Sequence, residues 1–193
     1  MSLKLVLPIK ILKVNGKEIK IPKLGLKHQK ILNSIRDPGD HMRSLVYSIC
    51  PGLSAAEGEY VLLHLLAFNG KIKDKEIDGH LYKIDDVRMV DQYEFQYQGN
   101  VFKFRKPTLF EGFASVDLVL KETFESVNGE HKEIDFMKMP AFIHKWSESL
   151  VFPLVLDTPR GPIKGLTNIL GLFEWKSQAK WIQCAERCLK TLN

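Results

Sequence analysis

The segment SAAEGEYVLLHLLAF, residues 54–68, constrains the fold of this chain more than any other stretch. It opens with a capping-box pattern, because the Ser54 hydroxyl can accept a hydrogen bond from the Glu57 amide while the Glu57 carboxylate accepts one in return. The helix that follows is apolar on most of its sides, and Asn69-Gly70 ends it. Since such a helix is stable in water only when other elements surround it, the sequence predicts a central core helix.

A β-hairpin and two short helices are expected before this central helix. Asn15-Gly16 lies between PIKILKV and KEIKIP, two runs that alternate apolar and polar side chains, and this arrangement is a strong hairpin signal. Apolar residues at helical spacing then predict one helix over residues 26–36. A second helix is predicted from Asp40 to the turn at Pro51-Gly52.

Residues 71–105 alternate charged and apolar side chains, and turn residues divide them into short strands. This pattern predicts a small antiparallel β-meander subdomain. The period changes at TLFE, residues 108–111, which repeats the capping-box pattern and predicts a helix to about Val127. Further helices are predicted after Met139-Pro140 and through residues 167–192.

These elements predict a single α+β domain over residues 1–193. It contains an N-terminal β-hairpin, several core helices, the β-meander inserted at residues 71–105, and a helical C-terminal half. The longest apolar runs are much shorter than the roughly 20 residues that cross a bilayer, so no membrane span is expected. No signal-peptide pattern precedes the hairpin, and we expect the protein in the cytosol.

The net charge of +5 is unevenly distributed along the chain. Residues 1–36 hold nine Lys and Arg residues against one acidic residue, Glu18. Such a segment attracts phosphates or an acidic partner protein, whereas the alternative is a solvated edge on which lysines prevent strand pairing. The candidate partner-binding residues are the hairpin lysines, two cations of the loop near residue 160, and two exposed aromatics of the last helix: Lys10, Lys13, Lys17, Lys20, Arg160, Lys164, Trp175 and Trp181.

Catalytic, metal and cofactor sites are not indicated by the sequence. The six histidines are dispersed, with no pair at metal-ligand spacing. His64 lies within an apolar run and is interpreted as a core histidine, and His144 has no recognisable nucleophile partner. The acidic residues near Asp74 and Asp85 lie in a charged stretch and are expected to be solvated. The three cysteines, Cys50, Cys184 and Cys188, are expected to be thiols.

The segment YEFQYQGNVFKFRK, residues 93–106, interleaves aromatic and basic side chains. A strand pair that exposed these aromatics beside Lys103 and Arg105 would stack bases and hold phosphates. The competing interpretation places the aromatics on one buried face and the basic residues on the other. Nucleic-acid binding through this hairpin and the basic N-terminus is therefore the alternative function.

The order of parts from residue 8 to residue 175 resembles that of a known family. A basic hairpin and two short helices precede CPGLSAAEGEYVLLHLLAFNGK, and a meander then leads to FRKPTLFEGF and a helical half. This layout resembles the small hub subunits and hub assembly factors of the baseplate in T-even-type contractile-tailed phages, with EGEYVLLHLL as the best local match.

The resemblance implies a non-enzymatic protein that helps to build or form the tail baseplate hub. It implies other hub proteins as partners, a possible homo-oligomer, assembly in the host cytoplasm and a place in the virion tail. It supplies no catalytic residues. The leading hypothesis is therefore a structural or chaperone-like hub protein that acts by protein–protein binding, and an enzyme ranks third.

Overall fold

The computed structural model describes residues 7–34 and 38–173. The described residues form six α-helices: α1 (Leu26–Ser34), α2 (Pro38–Ile49), α3 (Ala55–Phe68), α4 (Val116–Thr123), α5 (His144–Val151) and α6 (Leu166–Leu172). They also form ten short strands: β1 (Ile9–Val14), β2 (Lys17–Pro22), β3 (Lys75–Ile77), β4 (His80–Tyr82), β5 (Arg88–Met89), β6 (Glu94–Tyr97), β7 (Asn100–Phe104), β8 (Phe124–Val127), β9 (Leu154–Leu156) and β10 (Ile163–Lys164).

All strand pairs in the described part of the chain are antiparallel, and they form four small sheets. β1 pairs with β2, β3 with β4, β9 lies between β10 and β5, and β7 lies between β6 and β8. Because the described residues combine six helices with these antiparallel sheets, the predicted α+β class is confirmed.

Residues 71–105 do contribute antiparallel strands, but these strands belong to three sheets and do not form one meander. β5 pairs with β9, and β7 pairs with β8, so both find partners that come later in the chain. Alternation of side chains predicts a strand but does not specify its partner, which is selected by packing between distant segments. The division of the chain into domain and subdomain stays a prediction.

The first hydrophobic cluster surrounds α3, as the sequence predicted. Val61, Leu63 and Leu65 are fully buried. The capping box is confirmed, since the Glu57 amide donates to Ser54 Oγ at 3.4 Å and the Ser54 amide donates to Glu57 Oε2 at 3.0 Å. The inner face of the β1–β2 hairpin covers one side of this helix with four buried side chains: Leu12, Val14, Ile19 and Ile21.

The second cluster is aromatic and lies between the β6–β7–β8 sheet and helices α4 and α5. Phe95 and Phe102 face each other across β6 and β7, and Phe104 is 1% exposed. Trp146 of α5 stacks on Phe95 with ring centroids 5.2 Å apart. Offset aromatic packing of this kind adds to the stabilisation from apolar burial.

The helix predicted from Thr108 to Val127 is wrong. The capping contacts do form, since the Thr108 amide donates to Glu111 Oε2 at 2.8 Å, but Phe110 has a φ of 56° and no helix begins. Arg43 of α2 donates to the carbonyls of Leu109 and Phe110 at 2.9 and 2.7 Å. These carbonyls would otherwise accept helical hydrogen bonds, so a distant side chain holds the segment in a turn.

Residues from 114 onward alternate between helix and strand. α4 begins only at Val116, and Phe124 starts β8 where the helix was predicted to continue. The helix predicted after Pro140 is present as α5, and α6 begins the predicted last helix. The rest of that last helix lies outside the described residues.

Candidate protein-binding surface

The hairpin sends alternate side chains to opposite faces, and this separates its lysines into two pairs. Leu12 and Val14 of β1 point to the core together with Lys10, whereas Ile9, Ile11 and Lys13 point outward. On β2 the inward residues are Ile19 and Ile21, and the outward residues are Glu18 and Lys20. This alternation follows from the two-residue period of a strand.

Lys10 and Lys17 form ion pairs with carboxylates of other elements at the protein surface. Lys10 Nζ lies 3.6 Å from Asp85 Oδ1 and 3.5 Å from His64 Nδ1. Lys17 Nζ lies 3.8 Å from Glu57 Oε1. Burial raises the pKa of the Glu57 carboxyl, but hydrogen bonds from Ser54 and Asn15, with the charge of Lys17, hold that pKa below its ordinary value. These two lysines therefore fix the hairpin to α3 and to the turn containing Asp85.

Lys13 and Lys20 are the two hairpin lysines that are available to bind a partner. Both are exposed on the outward face, and no carboxylate of the described residues lies within ion-pair distance of either ammonium group. Lys20 lies opposite Ile11 in the strand register, and Lys13 lies opposite Glu18. Of the four lysines predicted from sequence, these two have no acidic partner among the described residues.

The outward face also carries two isoleucines that sequence reasoning missed. Ile9 is 56% exposed and Ile11 is 57% exposed, which is unusual for large aliphatic side chains in adjacent outward positions. The signal was present in IKILKV, where Ile9 and Ile11 alternate with the inward residues of the same strand. Both faces of β1 are apolar at some positions, so the alternation alone did not say which residues the core would take. We call Ile9, Ile11, Lys13 and Lys20 the outer hairpin face.

Arg160 and Lys164 lie elsewhere. Arg160 is in the loop between β9 and β10, and Lys164 is in β10. Arg160 Nη2 lies 2.7 Å from Asp78 Oδ2, in the turn between β3 and β4. Lys164 Nζ lies 3.2 Å from Glu148 Oε2 of α5. Each cation pairs with a carboxylate of another element, so the structure does not bring these two residues together with the hairpin lysines into one cluster.

Trp175 and Trp181, the two aromatic candidates of the last helix, lie outside the described residues. Their proposed contact with a partner stays a prediction. Cys184 and Cys188 also lie outside, while Cys50 is a free thiol.

The aromatic hairpin is unsuited to stacking nucleic-acid bases. Phe95, Phe102 and Phe104 are buried in the second cluster. The basic residues nearby are paired, because Arg105 donates to Glu111 at 2.5 and 3.0 Å and Lys106 Nζ lies 3.1 Å from Asp91. The arrangement matches the interpretation of aromatics as core and basic residues as an outer face.

The titratable groups considered for chemistry serve structural contacts. Burial, with the charge of Lys10 in addition, lowers the pKa of His64 to about 4 despite the opposing charge of Asp85, so the ring is neutral at pH 7. His144 lies 3.3 Å from Glu148 on the same helix. Asp74 accepts a hydrogen bond from the amide of Ile84 at 2.9 Å. Within residues 7–34 and 38–173 no group of three or more His, Cys, Asp or Glu side chains is arranged to hold a metal ion.

None of the described helices is long and apolar enough to cross a bilayer.

Comparison with known proteins gives two matches. A family model described as "Baseplate hub distal subunit" matches residues 21–173. The protein named "Baseplate hub assembly protein gp28", from Enterobacteria phage T4, is 50% identical over 177 residues, which is 90% of this chain and 100% of the relative. No solved structure matches. A family match over most of the described fold, together with a relative that aligns over its full length, shows that the chain belongs to the family of baseplate hub distal subunits of phages.

Proposed function

We propose that this protein builds the phage tail baseplate hub by binding other hub proteins in the host cytoplasm, and that it catalyses no reaction. Membership of the hub distal subunit family supports a structural role in the baseplate, and the name of the T4 relative supports a role in hub assembly. The chain thus acts as a structural or chaperone-like binding protein.

One observation carries the binding part of this proposal: the outer hairpin face combines two exposed isoleucines with two lysines that have no ion pair with any described residue. Exposed aliphatic side chains gain free energy when a partner removes them from water. Lysines beside them select an acidic partner and speed its approach. A solvated edge needs the lysines but not the isoleucines, so the combination favours a protein interface.

Affinity capture tests the proposal. The full-length tagged protein is co-expressed with each of the other hub proteins of the same phage and recovered with nuclease at about 0.15 M salt, where exposed charges more than a Debye length apart are largely screened. Recovery of a hub protein is the expected result. Recovery of none of them, with nucleic acid bound when nuclease is omitted, would move the function to the nucleic-acid alternative.

Charge reversal then locates the interface. The double variant Lys13→Glu/Lys20→Glu is expected to weaken capture of an acidic partner by roughly tenfold or more, because each lysine changes from attraction to repulsion. The matched control is Lys121→Glu/Lys145→Glu, which makes the same charge change at exposed positions of α4 and α5. Equal weakening by both pairs would show a nonspecific charge effect and exclude the hairpin as the interface.

A further inference from the structure

The register of the hairpin determines which backbone groups of β1 point away from β2. The Lys23 amide donates to the Pro8 carbonyl at 3.2 Å, which makes residues 8 and 23 a hydrogen-bonded pair. Hydrogen-bonded and non-hydrogen-bonded pairs alternate along antiparallel strands. The pairs Ile9 with Pro22, Ile11 with Lys20 and Lys13 with Glu18 are therefore non-hydrogen-bonded. Pro22 fits this assignment, since it has no amide hydrogen to donate.

In a non-hydrogen-bonded pair the amide and carbonyl groups of each residue point to the outer edge of its own strand. Ile9, Ile11 and Lys13 thus present three donors and three acceptors along the outer edge of β1. No described residue forms a hydrogen bond with these six backbone groups. An open edge of this kind is able to pair with another extended chain.

The outer edge of β2 differs because the end of α3 reaches it. Asn69 Nδ2 donates to the Pro22 carbonyl at 3.3 Å, and Asn69 Oδ1 accepts from the Leu24 amide at 2.8 Å. Lys23 adds a hydrogen bond to the Phe68 carbonyl, and its ammonium group lies 4.2 Å from the Phe68 ring centroid. The protein therefore ties down the end of β2 and leaves the edge of β1 open.

We propose that the outer edge of β1 is a strand-addition site, where an extended segment of a partner hub protein pairs with Ile9, Ile11 and Lys13. On the outer face, every second side chain of that segment is apolar opposite the two isoleucines and acidic opposite Lys13. The inference rests on the proposed function, and it specifies how the partner is recognised. Backbone hydrogen bonds supply the affinity in strand addition, and side chains on alternate positions supply the specificity.

The side chains around the edge define the chemistry of that segment. Apolar side chains of the partner cover Ile9 and Ile11, which are more than half exposed. A carboxylate of the partner meets Lys13, which has no acidic neighbour within ion-pair distance among the described residues, and Lys20 on β2 adds positive charge to the same face. A second copy of this chain would bring a face of the same net positive charge, since Lys13 and Lys20 outnumber Glu18 there, so the charge favours a different, acidic chain. Nucleic acid offers neither a polypeptide backbone nor aliphatic side chains.

Proline substitution tests the backbone contact directly. Ile11→Pro removes an outward amide hydrogen and leaves the inward hydrogen bonds of the hairpin in place. Glu18→Pro is the matched control, since it removes an outward amide hydrogen from β2 and an acidic side chain from the same face. Ile11→Ala keeps the amide and removes most of the side chain. Thermal unfolding of each variant verifies that the hairpin still folds.

We expect Ile11→Pro to reduce capture of the hub partner at least about tenfold. The proline removes one backbone hydrogen bond to the added strand and misaligns the hydrogen bonds next to it. Glu18→Pro is expected to retain capture, and Ile11→Ala to lose part of it. If the wild-type protein captures a hub partner and Ile11→Pro captures it equally well, strand addition is excluded while the proposed function stands. If the wild-type protein captures no hub partner, both proposals fail.

Amide hydrogen exchange in the wild-type complex gives a readout that no variant can confound by misfolding. Strand addition is expected to slow exchange of the Ile9, Ile11 and Lys13 amides about tenfold or more and to leave the Glu18 and Lys20 amides unchanged. Unchanged exchange at all three β1 amides in a formed complex would overturn the inference.

Discussion

At the scale of single residues, Gly58 shows how close packing against a helix can depend on the absence of a side chain. A Cβ atom at this position would lie 2.8 Å from both methyl groups of Leu109, and Leu109 is itself fully buried. Gly58 therefore allows the turn after Pro107 to approach α3 closely. The backbone contact is reinforced nearby, where the Ala55 amide donates to the Pro107 carbonyl at 2.9 Å.

Gly58→Ala is expected to lower the free energy of unfolding by about 1–3 kcal/mol, because overpacking outweighs the gain in helix propensity. Gly171→Ala is the matched control in α6, since no atom lies within 4 Å of its Cβ position. It is expected to stabilise the protein by about 0.5–1 kcal/mol. Chemical denaturation measures both changes. A smaller cost of Gly58→Ala in a Leu109→Ala background confirms the contact, whereas an unchanged cost contradicts it.

Glu59, one turn into α3, is a second residue with a measurable effect. Its Oε2 atom is buried and has no hydrogen-bond partner among the residues that the structure describes, and burial raises the pKa of its carboxyl to about 8. The folded protein thus keeps this proton at pH 7, whereas the unfolded chain releases it near the ordinary carboxyl pKa.

Stability is therefore expected to fall as pH rises from about 4.5 to about 8, because between these values the folded state binds one more proton than the unfolded state. Glu59→Gln removes this dependence and is expected to raise the free energy of unfolding at pH 8 by about 1–3 kcal/mol. Urea titrations at pH 5 and pH 8 measure the difference. A wild-type protein and a variant with parallel pH profiles would contradict the assignment.

At the scale of elements, the turn at residues 108–111 shows two levels of structure in competition. The capping-box contacts of Thr108 and Glu111 form as the sequence predicts, yet the helix does not. Arg105 and Arg43 bind the carboxylate and the carbonyls that a helix would use. The hydrogen bond from Arg105 outweighs partial burial and holds the pKa of Glu111 at about 2, so the pair is charged at pH 7.

Arg43→Met is expected to destabilise the protein by about 1–2 kcal/mol, because it leaves the carbonyls of Leu109 and Phe110 without their donors. Arg88→Met is the control, since Arg88 pairs with Asp157 at 3.0 Å in an exposed site where an ion pair adds little to stability. Thermal unfolding at pH 7 compares the two. Equal losses would contradict the prediction, because they would show that the hydrogen bonds from Arg43 to the two carbonyls stabilise the protein no more than an exposed ion pair does.

At the scale of the whole molecule, the described part of the chain has two hydrophobic clusters joined by the segment that contains this turn. Leu109 belongs to the cluster around α3, and Phe113 belongs to the aromatic cluster. Prediction of one domain over residues 1–193 requires that the clusters unfold together, and the shared segment is the physical reason to expect it.

A single unfolding transition is therefore expected. In a Trp175→Phe/Trp181→Phe background, Trp146 is the remaining tryptophan and its fluorescence reports on the aromatic cluster. Far-UV circular dichroism reports on the helices, with α3 the longest of those described. Coincident midpoints within error support one domain, and two separated midpoints would show that the clusters unfold independently.

Local patterns sufficed for the elements whose signals agree with their surroundings. The Asn15-Gly16 hairpin, the capped core helix after Ser54 and the α+β class all follow from turn chemistry, capping and hydrophobic periodicity. The composition of residues 1–36 was also sufficient to identify the hairpin lysines as candidates for partner binding, because the charge of a segment follows from its residues alone.

Only the tertiary structure decided the rest, because long-range contacts choose between options that local sequence leaves equal. The core took Leu12 and Val14 and left Ile9 and Ile11 outside, Asp85 and Glu57 neutralised two of the four lysines, and Arg43 turned a capping box into a turn. Asn69 covered part of one hairpin edge and left the other open. An alternating sequence predicts a hairpin with two faces and two edges. Packing against the rest of the protein determines which face and which edge are exposed to a partner.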